Sequence, residues 1–191
     1  GETIALKENR VLIKPFDSIH VISGQGTAAL EVIEAEKNNK KFDAAIICAS
    51  GGGLAAGTSI VLKNHNPKCE IYTAEPAAWN DHQQSFAANK RIYIKDVEHG
   101  ICDALESPAP GKITFAINNK NEVKGLSVDN NEIIKAMRFA YEQFNFILEP
   151  SGAIALACLK SEKIKFKNKK ILIMLSGGNI SKDRFYKYIA R

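Results

Sequence analysis

Two apolar runs in this chain end in the same tripeptide. Ala44-Ala45-Ile46-Ile47-Cys48 passes through Ala49 into Ser50-Gly51-Gly52-Gly53, and Ile171-Leu172-Ile173-Met174-Leu175 passes into Ser176-Gly177-Gly178-Asn179. A run that is apolar at every position fits a strand covered on both faces, which is the habit of parallel sheets. Helical patterns follow the first run, from Leu54 to about Lys63, and separate it from the second. Strands that alternate with helices close into a layered α/β architecture. The expected fold class is therefore α/β, three-layered, with a mostly parallel twisted sheet and helices on both faces. At 191 residues the chain is one domain, or a large piece of one.

The remaining elements fill out that pattern. Val11-Leu12-Ile13 reads as a first short strand stopped by Pro15, and Gly24-Gln25-Gly26-Thr27 reads as the opening of a helix that runs to about Lys37. Glu70 to Ala74 is a strand, Asp81 to Ala88 a helix, and Val123 to Ser127 a short strand. Most of Glu75 to Gly111 is irregular, and so long a stretch in a compact chain is usually functional. A helix is expected from about Asn130 to Phe144, with Ile133, Met137, Ala140 and Phe144 on its core face. Its start carries a capping signal, at Ser127 or at Asp129 with Glu132. Ser151 to Leu159 reads as a small-residue helix, Ile171 to Leu175 as the last buried strand and Lys182 to Ile189 as a closing helix.

Composition removes several function classes. Hydrophobic residues make up 45% and the net charge is only +5, which excludes a disordered chain. No apolar run approaches the ~18 residues of a membrane span. The densest basic stretch, Lys160 to Lys170, is interrupted by Glu162 and holds one aromatic, Phe166, so it reads as a solvated surface and not as a nucleic-acid interface. Cys48, Cys69, Cys102 and Cys158 are widely spaced, with no CxxC pair. That spacing fits a reducing, cytoplasmic setting better than a disulfide framework or a zinc site. The chain opens on Gly1 with no signal-peptide pattern.

Chemistry concentrates in the loops after strands, where α/β sheets bind ligands. Ser50 to Gly53 precedes a helix start, so free amides and the helix dipole favour an anion such as phosphate. It is neither a Walker loop nor a GxGxxG fingerprint, and Gly24-x-Gly26 is only half of the latter. Ser176 offers a hydroxyl or a helix cap, and Glu149-Pro150-Ser151-Gly152 offers a carboxylate or first-turn charge stabilisation. Glu75 and Asp81 are spaced to share a hard cation with backbone carbonyls, although solvated loop acids are the commoner outcome. His20, His65, His82 and His99 show no paired spacing, and none reads as a ligand or base.

Taken in order, six stretches resemble the fold-type II pyridoxal-phosphate enzymes of the threonine/serine dehydratase and serine racemase group. They are Ser23 to Thr27, Ser50 to Leu54, Ala74-Glu75-Pro76, Ile101-Cys102-Asp103, Leu148 to Ala153 and Leu175 to Asn179, in register from about Val11 to Ser181. The resemblance implies part of the large domain of a tryptophan-synthase-β-like fold, with residues 1–191 a single partial domain. It implies that Ser50, Gly51, Gly52, Gly53 and Leu54 cradle the cofactor phosphate and that Ser176 meets the pyridine nitrogen. Asp103, Glu149, Gly177 and Asn179 would flank the ring. Glu75, the Trp79 carbonyl and Asp81 would hold a divalent cation, magnesium or calcium. The implied reaction is β-elimination of water from a hydroxy amino acid to a 2-oxo acid and ammonia, and racemases of the group reprotonate Cα on the other face instead.

The resemblance also marks departures. The family's Schiff-base lysine, in a Ser-x-Lys-x-Arg-Gly context, and its Ser-Ser-Gly-Asn-His-Gly substrate loop have no counterpart here. Ser161-Glu162-Lys163 imitates the first but lacks Arg-Gly and lies between a helix and a strand. Ser50 stands where the family has a first glycine, and Ala104 follows Asp103 where many members have glycine. No catalytic residue is therefore assigned. The expectation is a carboxy-terminal portion of a lyase, inactive alone, without a regulatory domain of the biosynthetic dehydratase type. Apolar surface would be exposed where the missing parts pack, and a homodimer would cover it. The alternatives are a serine or hydroxyaspartate racemase or dehydratase of the same group, and a stand-alone non-catalytic module for a phosphorylated ligand or a partner.

Overall fold

The computed structural model describes residues 1–36 and 41–190. Four strands form one parallel sheet: β1 (Ala44–Cys48), β2 (Glu70–Pro76), β3 (Lys124–Val128) and β4 (Ile171–Ile173), in the order β3-β2-β1-β4. Ala44 pairs with Glu70 on one side and with Ile171 on the other, and Tyr72 pairs with Lys124. The eight helices described are α1 (Glu2–Lys7), α2 (Ile19–Ala35), α3 (Gly53–His65), α4 (Asp81–Ala87), α5 (Lys112–Lys120), α6 (Asn130–Phe144), α7 (Pro150–Lys160) and α8 (Lys182–Ile189). No helix among the described residues is long and apolar enough to cross a membrane.

Every residue of β1 is buried. Its alternate side chains serve different cores. Ala45 and Ile47 pack with Ala29 of α2 and Ala55 and Leu62 of α3 on one face. Ala44, Ile46 and Cys48 pack with Met137 of α6, Ile154 of α7 and Phe185 of α8 on the other. The three-layer expectation holds, and all four strands run parallel. This layering sets the site. The chain leaves β1 through α3 on one face, and reaches β4 from α6 and α7 on the opposite face. The loops at the carboxyl ends of β1 and β4 therefore diverge and open a crevice, as at the switch point of other parallel sheets.

Capping places α6 where the pattern predicts it. Asp129 accepts from the Glu132 amide at 2.8 Å while Glu132 accepts from the Asp129 amide at 2.7 Å, the reciprocal box of a helix start. Ser127 instead donates to Gln83 at 2.9 Å. Ile133, Met137 and Ala140 are buried, whereas Phe144, in the last turn, is 55% exposed.

Three expectations need correction. Val11-Leu12-Ile13 is not a strand, and Val11 is 90% exposed, because among the described residues no strand lies beside it to pair. Gly24 and Gly26 do not open a helix; they sit inside α2, which starts at Ile19 and ends at Ala35, while Lys37 lies outside the described residues. β4 is half-buried and not a fully buried strand, because it is the edge of the sheet. The glycine inside α2 serves packing: a Cβ on Gly26 would meet the Gly57 carbonyl oxygen of α3 at 3.0 Å, and one on Gly57 would meet the Gly26 nitrogen at 2.6 Å. Gly57→Ala is expected to destabilise the fold by about 1–2 kcal/mol, the overpacking cost less the gain in helix propensity. Urea denaturation measures it, and an unchanged midpoint would show that the two helices can separate freely.

Candidate active site

Gly52 is the hinge of the loop after β1. It adopts φ +88°, in the left-handed region that glycine enters without penalty, and it caps α3. The first α3 hydrogen bond runs from the Ala56 amide to the Gly52 carbonyl at 2.9 Å. The amides of Gly53, Leu54 and Ala55 thus have no partner within the helix, which is the arrangement that binds anions.

The loop's carbonyls are tied back. His82 Nε2 donates to the Ser50 carbonyl at 2.8 Å, and Thr114 Oγ1 and the Gly111 amide donate to the Gly51 carbonyl at 2.6 and 3.1 Å. Burial lowers the His82 pKa to about 4, so the ring is neutral at physiological pH. With the carbonyls occupied, the loop offers its N–H groups. A Cβ on Gly52 would fall 2.6 Å from His82 Cε1, and one on Gly53 would fall 2.8 Å from Gln25 Oε1. A cavity of about 240 Å³ lies over this loop, walled by Phe16, Gln25, Cys48 and Leu105 as well as by Ser50 to Leu54.

Asp17 holds the amino-terminal wall of the cavity in place. Its carboxylate accepts from the Ile113 and Thr114 amides at 2.6 and 3.2 Å and so caps α5 from a segment about a hundred residues earlier. The residue sits at φ +58°, which glycine also accommodates. Asp17→Gly, which keeps that backbone unstrained, is expected to cost about 1–2 kcal/mol in urea denaturation through loss of the cap and of its charge at a helix start. A loss below about 0.3 kcal/mol would show that the cap contributes nothing.

The β4 loop approaches from the neighbouring strand. Ser176 Oγ lies 3.1 Å from Cys48 Sγ. The Glu149 amide donates to the Gly177 carbonyl at 3.1 Å, and a Cβ on Gly177 would overlap the Glu149 carboxylate. A Cβ on Gly152 would meet the Gly177 nitrogen at 2.7 Å, so the 149–152 and 176–178 loops interlock. Asn179 is exposed on the same loop. Asp103 is not brought into the cavity: it pairs with Arg184 at 3.6 Å, while its neighbours Ala104 and Leu105 line the wall.

A second polar centre lies at the end of β2. Glu75 and Asp81 are both fully buried, which overturns the solvated-acid alternative. Glu75 accepts from the His82 and Gln83 amides at 2.8 Å each, and neither Asp81 oxygen has a hydrogen-bond partner among the described residues. Burial pushes both carboxyls up, Asp81 to about 7, and the Asp81 charge raises Glu75 further. Orphaned buried oxygens beside a second carboxylate fit a hard divalent cation, with carbonyls and water completing the shell. Among the described residues no cluster of three or more His, Cys, Asp or Glu side chains forms a metal site. Trp79 lies in the single turn between the two acids, where its indole donates to the Glu98 carbonyl at 3.2 Å.

Several of these residues escaped sequence reasoning. The spacing of His82 assigns it no role as ligand or base, and it positions the loop without being either. Its only local signal is its place beside Asp81. Thr114 meets the loop, and Asp17 meets the start of α5, across long separations and without a motif.

Comparison with known proteins places this geometry. The pyridoxal-phosphate dependent enzyme family matches residues 2–177. The chain is 35% identical over 191 residues to the serine racemase of Schizosaccharomyces pombe, covering all of this chain and 58% of that protein. It is 34% identical over 185 residues to the L-threo-3-hydroxyaspartate ammonia-lyase of Saccharomyces cerevisiae, covering 97% of this chain and 56% of the relative. The structure of maize serine racemase superposes with a TM-score of 0.88 at 34% identity, covering 99% of this chain and 57% of that one. The chain thus spans a little over half the length of these relatives. With its glycine cradle at a helix start, at the crevice between β1 and β4, the chain belongs to the pyridoxal-phosphate dependent enzymes of fold-type II.

Proposed function

We propose that this chain supplies the cofactor-holding half of an ammonia-lyase acting on a small hydroxy amino acid. The observation that carries the reading is the Ser50–Leu54 loop, with its carbonyls tied back by His82, Thr114 and Gly111 and its helix-start amides free. Those amides bind the phosphate of pyridoxal phosphate. Ser176 would offer its hydroxyl as a hydrogen-bond donor to the ring nitrogen, and Glu149 and Asn179 would lie on the loops beside the ring. Glu75, Asp81 and the Trp79 carbonyl would hold magnesium or calcium, whose charge would offset the buried carboxylates and fix the β2 end beside the loop. Bound pyridoxal phosphate supplies an electron sink for loss of the α-proton. A neutral Ser176 would hydrogen-bond the ring nitrogen without protonating it, which would keep the electron sink weak and favour loss of the β-hydroxyl. The exposed side chains of Leu6, Val11, Ile13 and Ile19 support assembly with further chain, and a homodimer of the whole enzyme.

A second reading, racemisation at the same α-carbon, is favoured by the similarity to serine racemases. The test is to express the chain with the amino-terminal portion of the S. pombe relative and supply L-serine, L-threonine and 3-hydroxyaspartate. A 2-oxo acid and ammonia from one of them is the expected result, and inverted amino acid without 2-oxo acid would select the second reading. An assembly that binds the cofactor yet yields neither product would overturn both.

A further inference from the structure

Cys48 closes β1, and its side chain reaches two places at once. It lines the cavity over the glycine loop, and its Sγ lies 3.1 Å from Ser176 Oγ on the adjoining loop. The thiol thereby bridges the two strands whose ends form the crevice. A hydroxyl has one proton and two acceptor positions. If Ser176 gives that proton to sulfur, none is left for a ring nitrogen. If sulfur gives its own proton to Ser176 Oγ, the serine proton is free to point into the site.

We propose that Cys48 is a positioning residue, whose S–H donates to Ser176 Oγ and turns the serine O–H toward the cofactor ring. The inference rests on the reading of Ser176 as the partner of the ring nitrogen. Burial favours this direction, since it pushes the Cys48 thiol up and keeps sulfur protonated. The thiol is a weak donor, so its effect is modest.

Titration calorimetry on the full chain separates the possibilities, with pyridoxal phosphate and inorganic phosphate as probes. Cys48→Ala is expected to weaken pyridoxal phosphate about fivefold and to leave inorganic phosphate unchanged. Cys48→Ser, which keeps a donor of similar shape, is expected to restore most of the affinity. In a Ser176→Ala background the Cys48→Ala effect should vanish, because the two residues act as one unit. Equal loss for both probes would show that Cys48 only supports the loop, and an additive double variant would show that it acts apart from Ser176. Either result, or Cys48→Ala binding like the wild type, overturns the proposal. Wild-type affinity in Ser176→Ala alone would instead remove the ring-nitrogen reading on which it rests.

Discussion

Gly52→Asp is expected to abolish measurable pyridoxal phosphate binding, with a loss of about 100-fold or more, equivalent to about 2.7 kcal/mol. Three effects add. The positive φ of 88° costs a side chain about 1 kcal/mol, less for aspartate than for most. The Cβ would stand 2.6 Å from His82 Cε1 and 3.1 Å from Thr114 Oγ1, the two groups that hold the loop's carbonyls. Moving them turns the carbonyls back toward the anion site. The new carboxylate then repels phosphate at the helix start. Gly52→Ala carries the first two effects without the charge and should lose less affinity. Calorimetry with both variants checks the order, and equal affinity of Gly52→Asp and wild type would mean that phosphate does not sit on this loop.

The second large effect concerns the buried acids of β2 and α4. Magnesium or calcium at about a hundred times its dissociation constant is expected to raise the unfolding midpoint by about 5–10 °C. A ligand at that excess stabilises the native state by about 2.7 kcal/mol, and a chain of this size gains about 2–4 °C per kcal/mol. Asp81→Asn should remove the response, because it replaces one of two anionic ligands with a neutral amide. Without added cation the same variant should melt no lower than wild type, since it also removes a charge from a site with 0% exposure and no hydrogen-bond partner among the described residues. Thermal melts in chelator and in added cation measure both. Identical midpoints in the two conditions for wild type would show that the pair holds no cation.

The parts of the fold that local chemistry decides were legible. α6 and α8 begin and end where the sequence places them, since Asp129 with Glu132, and Ser181 accepting from the Arg184 amide at 3.3 Å, write their starts into adjacent residues. β1 was legible because an unbroken apolar run has few other uses. What failed depends on distant partners. A glycine in a helix can mark a turn or a close crossing, and only the approach of Gly57 shows that Gly26 is the second. Val11 to Ile13 have strand composition, but composition does not supply a neighbour to pair with. The half-burial of β4 follows from its position at the edge, which a run of apolar letters does not encode.

The candidate site divides the same way. The two Ser-Gly-Gly loops were visible as motifs, and the order of six motifs pointed to the family that the comparisons establish. The burial of Glu75 and Asp81 was not visible, because carboxylates six residues apart are more often solvated. The supports of the phosphate loop were hidden for a different reason. His82 and Thr114 each act through one carbonyl, over separations of 32 and 63 residues, and Asp17 acts through two amides of α5, 96 and 97 residues away; such contacts leave no local pattern.

The most direct measurement is a titration of the purified chain with pyridoxal phosphate, followed by borohydride reduction and mass-spectrometric mapping of any modified residue. The expected result is reversible binding with no single lysine labelled, lost in Ser176→Ala and in Gly52→Asp. That outcome would establish a cofactor-holding half whose covalent lysine comes from elsewhere. Stoichiometric labelling of one lysine in this chain, or no binding at all, would contradict it.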